Sequence, residues 1–288
     1  MPAKNHIKGD CLLLLTAMIW GSAFVAQKAG MDHIGPFFYN GIRFALGAAM
    51  LTPLALRTRG PQSFQTTPKP SVLLPGLLAG SLLFAGSSLQ QVGLVFTTAG
   101  KAGFITGLYV IIVPFLGLFW GQRTGRATWS GACLAVAGLY LLTVKQGLSV
   151  SLGDGLVFCC ALMFALHVLT IGWLAPRLEV IKLAVFQFWV CSLFSFCVGF
   201  FAENLTWTAV RGAAIPILYG GLLSVGVAYT LQVVAQRKAP PAHAAIILSL
   251  ETVFAVLSGC LLLGESLSNR GWLGCALMLG GMLAAQLD

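Results

Sequence analysis

Residues Pro240–Leu263 read PPAHAAIILSLETVFAVLSGCLLL, and they decide the class of fold. About 20 apolar residues in a helix cross the ~30 Å hydrocarbon core of a bilayer, and this stretch is long and apolar enough. It also carries one acid. Counted from Ala242, Glu251 is the tenth residue, which at about 1.5 Å per residue sets it ~14 Å deep, near the midplane. A charged side chain there costs about 2.5–3.5 kcal/mol on insertion scales, so it faces protein or water rather than lipid. Glu251 therefore has two readings: a substrate or proton site, or a packing carboxylate bonded to backbone or to Arg43.

The rest of the chain is built alike. Of 288 residues, 58% are hydrophobic and 9% charged, against about 25% charged in a soluble domain. Ten apolar spans follow one another: Asp10–Gln27, Pro36–Leu56, Val72–Val95, Lys101–Trp120, Thr128–Val144, Gly153–Trp173, Leu183–Phe201, Ala213–Val234, Ala242–Leu263 and Asn269–Leu287. The longest connection is the polar, Pro-rich Arg57–Ser71. The spans use almost the whole length and leave no soluble catalytic domain. The first lacks a small-residue cleavage site and reads as a retained helix.

A net charge of +9 raises nucleic acid as a partner, but its distribution argues against one. One set of alternating loops holds eleven Lys and Arg and the other five. By the positive-inside rule this bias puts both termini in the cytoplasm, with an even number of spans. The eight cysteines lie within spans and form no CxxC, so they read as small apolar fillers rather than disulfides or metal ligands.

The halves repeat. An offset of 144 sets Gly9-Asp10 on Gly153-Asp154 and Trp20 on Phe164. An offset of 143 sets Gly121, Trp129, Gly131 and Gly138 on Gly264, Trp272, Gly274 and Gly281. An offset of 142 sets Leu89-Gln90 on Leu231-Gln232. Two repeats of five spans, residues 10–144 and 153–287, enter the membrane from opposite sides. The expected fold is an all-α membrane protein of ten transmembrane helices, two inverted five-helix repeats around a central cavity. Such inverted repeats suit alternating access to a midplane site.

Several stretches carry a family resemblance. WGSAFVAQK (Trp20–Lys28), GIRFALGA (Gly41–Ala48), AGKAGFITGLYVIIVP (Ala99–Pro114) and LQVVAQRKAPPAHAAIILSLETVFAVLSGCLLLGE (Leu231–Glu265) resemble the drug/metabolite transporter superfamily in its ten-helix form with two EamA repeats. The resemblance implies a basket-like bundle whose cavity is lined by spans one, three, four, six, eight and nine. It also implies export of small organic molecules such as amino acids, nucleosides or amphipathic compounds. Thr252 stands where that family often has Pro, which removes the proline-based reason for a kink at Glu251.

The candidate substrate-binding residues are Trp20, Gln90, Tyr109, Phe164, His167, Tyr229, Gln232 and Glu251. Gln90 and Gln232 are repeat mates and either flank a substrate or join helices. Trp20, Tyr109, Phe164 and Tyr229 fall on the cavity helices; they can stack on a planar or cationic molecule, or simply pack. His167 is a proton relay or a packing residue. Arg43 reads as a structural or gating cation, and Pro114 as a bend in span four. His243, near a helix end, is interfacial. Gly76–Gly80, Gly103–Gly107 and Gly117–Gly121 are spaced for close helix approach.

Other chemistries lack their residues. The sequence has no GxxxxGK[ST] phosphate loop, no HExxH and no serine elbow with partners, so an ATP-driven pump or an enzyme is not expected. No cofactor or metal is called for. The expected function is a secondary active transporter of the cell membrane, exporting small metabolites with proton exchange or down their gradient. The expected partners are a small-molecule substrate, lipid and protons. A monomer is expected, with a homo-oligomer as the alternative. The competing functions are a facilitative channel or uniporter and, last, an intramembrane lipid enzyme.

Overall fold

The computed structural model describes residues 3–57, 71–97, 99–122, 124–143, 151–263 and 268–287. Among them the chain is helical, with no strand. Helices suit a lipid environment because each satisfies its own backbone hydrogen bonds. Seven helical segments are long and apolar enough to cross a membrane. The remaining three expected spans are also helical: α2 (Pro36–Arg57), α6 (Arg126–Thr143) and α14 (Asn269–Ala284). Most of the long loop expected at Arg57–Ser71 lies outside the described residues.

The first span is α1 (Ala3–Met31), and the third is α3 (Leu73–Phe96). The fourth is broken into α4 (Ala99–Gly107) and α5 (Tyr109–Phe119). The sixth and seventh are α7 (Leu152–Leu174) and α8 (Val180–Ala202). A short α9 (Trp207–Gly212) then leads into the eighth, which begins as α10 (Ala214–Leu218), widens to a π-helix over Tyr219–Tyr229 and ends as α11 (Thr230–Ala235). The ninth is split into α12 (Pro241–Leu248) and α13 (Glu251–Leu263).

Ends are fixed by capping. Ser151 and Asp154 form a reciprocal capping box at the start of α7, and Asp154 also accepts from the Thr97 hydroxyl at 2.6 Å. The N-terminus of α2 is held from another helix: the Phe37 and Phe38 amides each donate to the Glu203 carboxylate at 2.9 Å. A negative group there meets the positive end of the helix dipole.

Glycine lets backbones touch. A Cβ on Gly131 would lie 2.5 Å from the Gly281 carbonyl oxygen, and one on Gly281 equally close to that of Gly131. A Cβ on Gly138 would lie 2.5 Å from the Gly274 oxygen. Helices α6 and α14 therefore run antiparallel in direct main-chain contact, as small residues allow in membranes. On the other side of the bundle α2 packs on α8, and α3 on α7. There Phe44, Phe188 and Tyr229 form a triangle with centroids 5.9–6.2 Å apart.

Three expectations need adjustment. The bend in span four falls at Leu108, whereas Pro114 sits inside a continuous α5. Span nine breaks at Ser249-Leu250 although Thr252 replaces the proline. Ser249 returns its hydroxyl to the Ile246 carbonyl at 2.8 Å, a back-bond that bends helices. Gly117–Gly121 does not join helices: Gly117 faces Gln122 at the end of α5, and Gly121 has φ +69°, the left-handed conformation that stops a helix. By contrast Gly76 and Gly80 do take side chains of α8, Phe186 and Val190.

Candidate functional site: a polar cavity between the broken helices

One cavity of about 500 Å³, counted out to its mouth, lies inside the bundle. All eight sequence-derived candidates line it: Trp20, Gln90, Tyr109, Phe164, His167, Tyr229, Gln232 and Glu251. Arg43 lines it as well, and Pro114 does not.

The two broken spans aim their breaks at this space. Tyr109 is the first residue of α5 and Glu251 the first of α13. Glu251 is 4% exposed. The Tyr109 hydroxyl and the Glu251 carboxyl are near enough to interact, yet Tyr109 Oη and Glu251 Oε1 both lack a hydrogen-bond partner. A backbone contact fixes Glu251 from behind: a Cβ on Gly21 of α1 would lie 2.6 Å from the Glu251 carbonyl oxygen.

The glutamines divide their groups between protein and cavity. Gln90 donates its amide to Thr106 at 3.3 Å. Gln232 donates to Gln236 at 3.0 Å, and Gln236 donates to the Val168 carbonyl at 2.9 Å. The side-chain oxygens of Gln232 and Gln27 have no partner. His167 shares a 2.9 Å hydrogen bond between its Nε2 and Gln187 Oε1, a fully buried side chain.

Arg43 does not pair with Glu251. It is 2% exposed and donates Nε to Asn40 Oδ1 at 2.9 Å. Asn40 is anchored in turn on the Ser87 carbonyl at 3.1 Å. The guanidinium lies 5.4 Å from the Tyr39 ring and 5.0 Å from the Phe44 ring. Aromatic faces and a side-chain carbonyl surround this cation in place of an acid.

The π-helix shapes the opposite wall. Two carbonyls of its wider i→i+5 turns also accept from side chains of α1. Trp20 Nε1 donates to Ser224 O and the Thr16 hydroxyl to Ala228 O, each at 3.2 Å. The Trp20 ring thereby stands against Tyr229, with centroids 4.5 Å apart.

The sequence reading missed Phe24, Gln27, Thr106, Val168, Ser224 and Leu248 on the lining. Phe24 and Gln27 follow Trp20 at helical spacing on one face of α1 and could have been found. Val168 and Leu248 are the repeat mates of Phe24 and Thr106. Ser224 had no such signal, because the π-helix changes which residues share a face.

His243 is tied to Asp10 of α1 by a 2.9 Å contact, away from the cavity. Among the described residues no group of three His, Cys, Asp or Glu could hold a metal.

Residues 7–144 and 151–285 each match the EamA-like transporter family. The chain belongs to that family. An uncharacterized transporter of Archaeoglobus fulgidus is 30% identical over 285 residues, covering 98% of this chain and 87% of the relative. The uncharacterized inner membrane transporter YedA of Escherichia coli K12 is 26% identical, covering 94% and 88%. A solved crystal structure shares the fold of this EamA-like chain, with TM-score 0.80 at 19% identity over 97% of this chain and 96% of the other. With its apolar helices, this family member is a multi-pass membrane protein.

Proposed function

We propose that this chain is a secondary active transporter exporting a small metabolite from the cytoplasm by alternating access. In this reading ten membrane-spanning helices form two inverted repeats, residues 10–144 and 153–287, with both termini cytoplasmic in the cell membrane. The observation that carries it is the make-up of the cavity wall. Five repeat-related pairs line it: Trp20 and Phe164, Phe24 and Val168, Gln90 and Gln232, Thr106 and Leu248, Tyr109 and Glu251. A wall composed of such pairs is what a two-fold axis through the cavity would produce.

The glycine seam supports the same symmetry. Gly131 and Gly138 are the mates of Gly274 and Gly281. Gly131 touches Gly281, and Gly138 touches Gly274. Exchanging the halves maps each contact onto the other. The contact of Gly93 with Gly153 likewise maps onto that of Gly9 with Ala235. An axis in the membrane plane lets one arrangement open the inner mouth and its mirror open the outer one.

All the residues that line the cavity come from one chain, which supports a monomer as the working unit. Glu251 and His167 are the groups available to couple export to protons. The test is flux into liposomes bearing the purified protein. Saturable, protein-dependent movement of a small solute is expected. A broad metabolite panel with no such flux, or labelling that finds the two termini on opposite faces, overturns the proposal.

A further inference from the structure

We infer that the substrate of this cavity presents a protonated primary amine on a flat, apolar body. This rests on reading the cavity as the substrate site. Three buried wall acceptors have no partner, Gln27 Oε1, Gln232 Oε1 and Glu251 Oε1; the unpartnered Tyr109 hydroxyl beside them can donate or accept. The first two can only accept hydrogen bonds, as can the third in the carboxylate form. The amide nitrogens of Gln90 and Gln232 are already engaged by Thr106 and Gln236. The unmet demand is for donors.

The wall's charges point the same way. Among the described residues neither charge has an opposite charge beside it, but Arg43 has its Nε engaged by Asn40 and its guanidinium flanked by rings, whereas Glu251 Oε1 is left bare. A primary ammonium brings three N–H donors and the opposite charge. It can meet Glu251 Oε1 and Gln232 Oε1 together, while Trp20, Phe164 and Tyr229 offer ring faces to the cation and to a planar body. An alcohol brings one donor and no charge. A quaternary ammonium suits the rings but gives these oxygens nothing.

The test is a binding series on the purified full-length protein in detergent, read by thermal shift and calorimetry. The ligands are 2-phenylethylamine, 2-phenylethanol and phenethyltrimethylammonium. The amine is expected to bind about tenfold or more tighter than the other two, and Glu251→Gln to abolish its advantage over the alcohol. Equal binding of all three, preference for the quaternary ligand, or no binding of the amine overturns the inference. Tighter binding of N-acetylphenylalanine than of the amine also overturns it, by moving recognition to Arg43. The wild-type series decides the matter even if the variant does not fold. Because binding in detergent requires no transport, the two readings fail separately. A protein that moves solutes across liposomes yet ignores amines loses only this inference, and one that binds the amine yet moves nothing loses only the transport reading.

Discussion

Tyr109 and Glu251 stand 142 residues apart, each the first residue after a helix break, and both line the cavity with their polar ends near enough to interact. That offset also joins Gln90 to Gln232. One repeat position thus carries a phenol in the first half and an acid in the second, so the two halves of the wall are alike in shape and unlike in chemistry.

If Glu251 couples transport to protons, Glu251→Gln keeps the side-chain volume and removes the titrating group. Flux driven by a pH gradient in liposomes is expected to disappear while the protein still purifies in a folded form. An unchanged response to the gradient removes Glu251 from coupling.

Tyr109→Phe separates the hydroxyl from the ring. Because the hydroxyl has no hydrogen-bond partner, the substitution is expected to shift stability by less than about 1 kcal/mol. Substrate affinity in a binding titration should nevertheless change. A large fall in melting temperature would mean that the hydroxyl holds the fold.

Gly131→Val and Gly281→Val attack the seam of α6 and α14. Each adds a side chain where a single Cβ would already lie 2.5 Å from a carbonyl oxygen. A loss of about 1–3 kcal/mol is expected, read as a lower melting temperature in detergent. Gly280→Ala serves as the control, since a Cβ there meets nothing within 4 Å.

Glu203→Ala strips the acceptors from two backbone amides at the start of α2. The expected cost is about 1–2 kcal/mol. Glu203→Gln, which keeps one acceptor oxygen, should recover part of it. Thermal unfolding of the three proteins side by side checks the order.

Much of this arrangement is legible in the sequence, and particular residues show why. Glu251, Gln90 and Gln232 are polar groups within long apolar runs, so they could only turn inward, and all three line the cavity. The placement of Trp20, Tyr109, Phe164 and Tyr229 came from the family resemblance together with the repeat. Local backbone events were harder to read. The break at Ser249-Leu250 is accompanied by a serine back-bond, but many membrane helices contain serine without breaking. The break at Leu108 lies six residues before Pro114, which sits within a continuous helix. The π-helix over Tyr219–Tyr229 packs its glycine closely on α2: a Cβ on Gly221 would lie 2.8 Å from Leu46 Cβ. That is a tertiary fact which no local pattern carries.

The glycine seam has a bearing on how such proteins diversify. Among the described residues neither α6 nor α14 lends one to the cavity, and the two helices hold together through main-chain atoms that almost any mutation elsewhere leaves intact. If the cavity is the substrate site, cargo preference and scaffold are therefore inherited on separate parts of the chain. A lineage can exchange Tyr109, Thr106 or Glu251 for new chemistry while the frame that carries them stays the same.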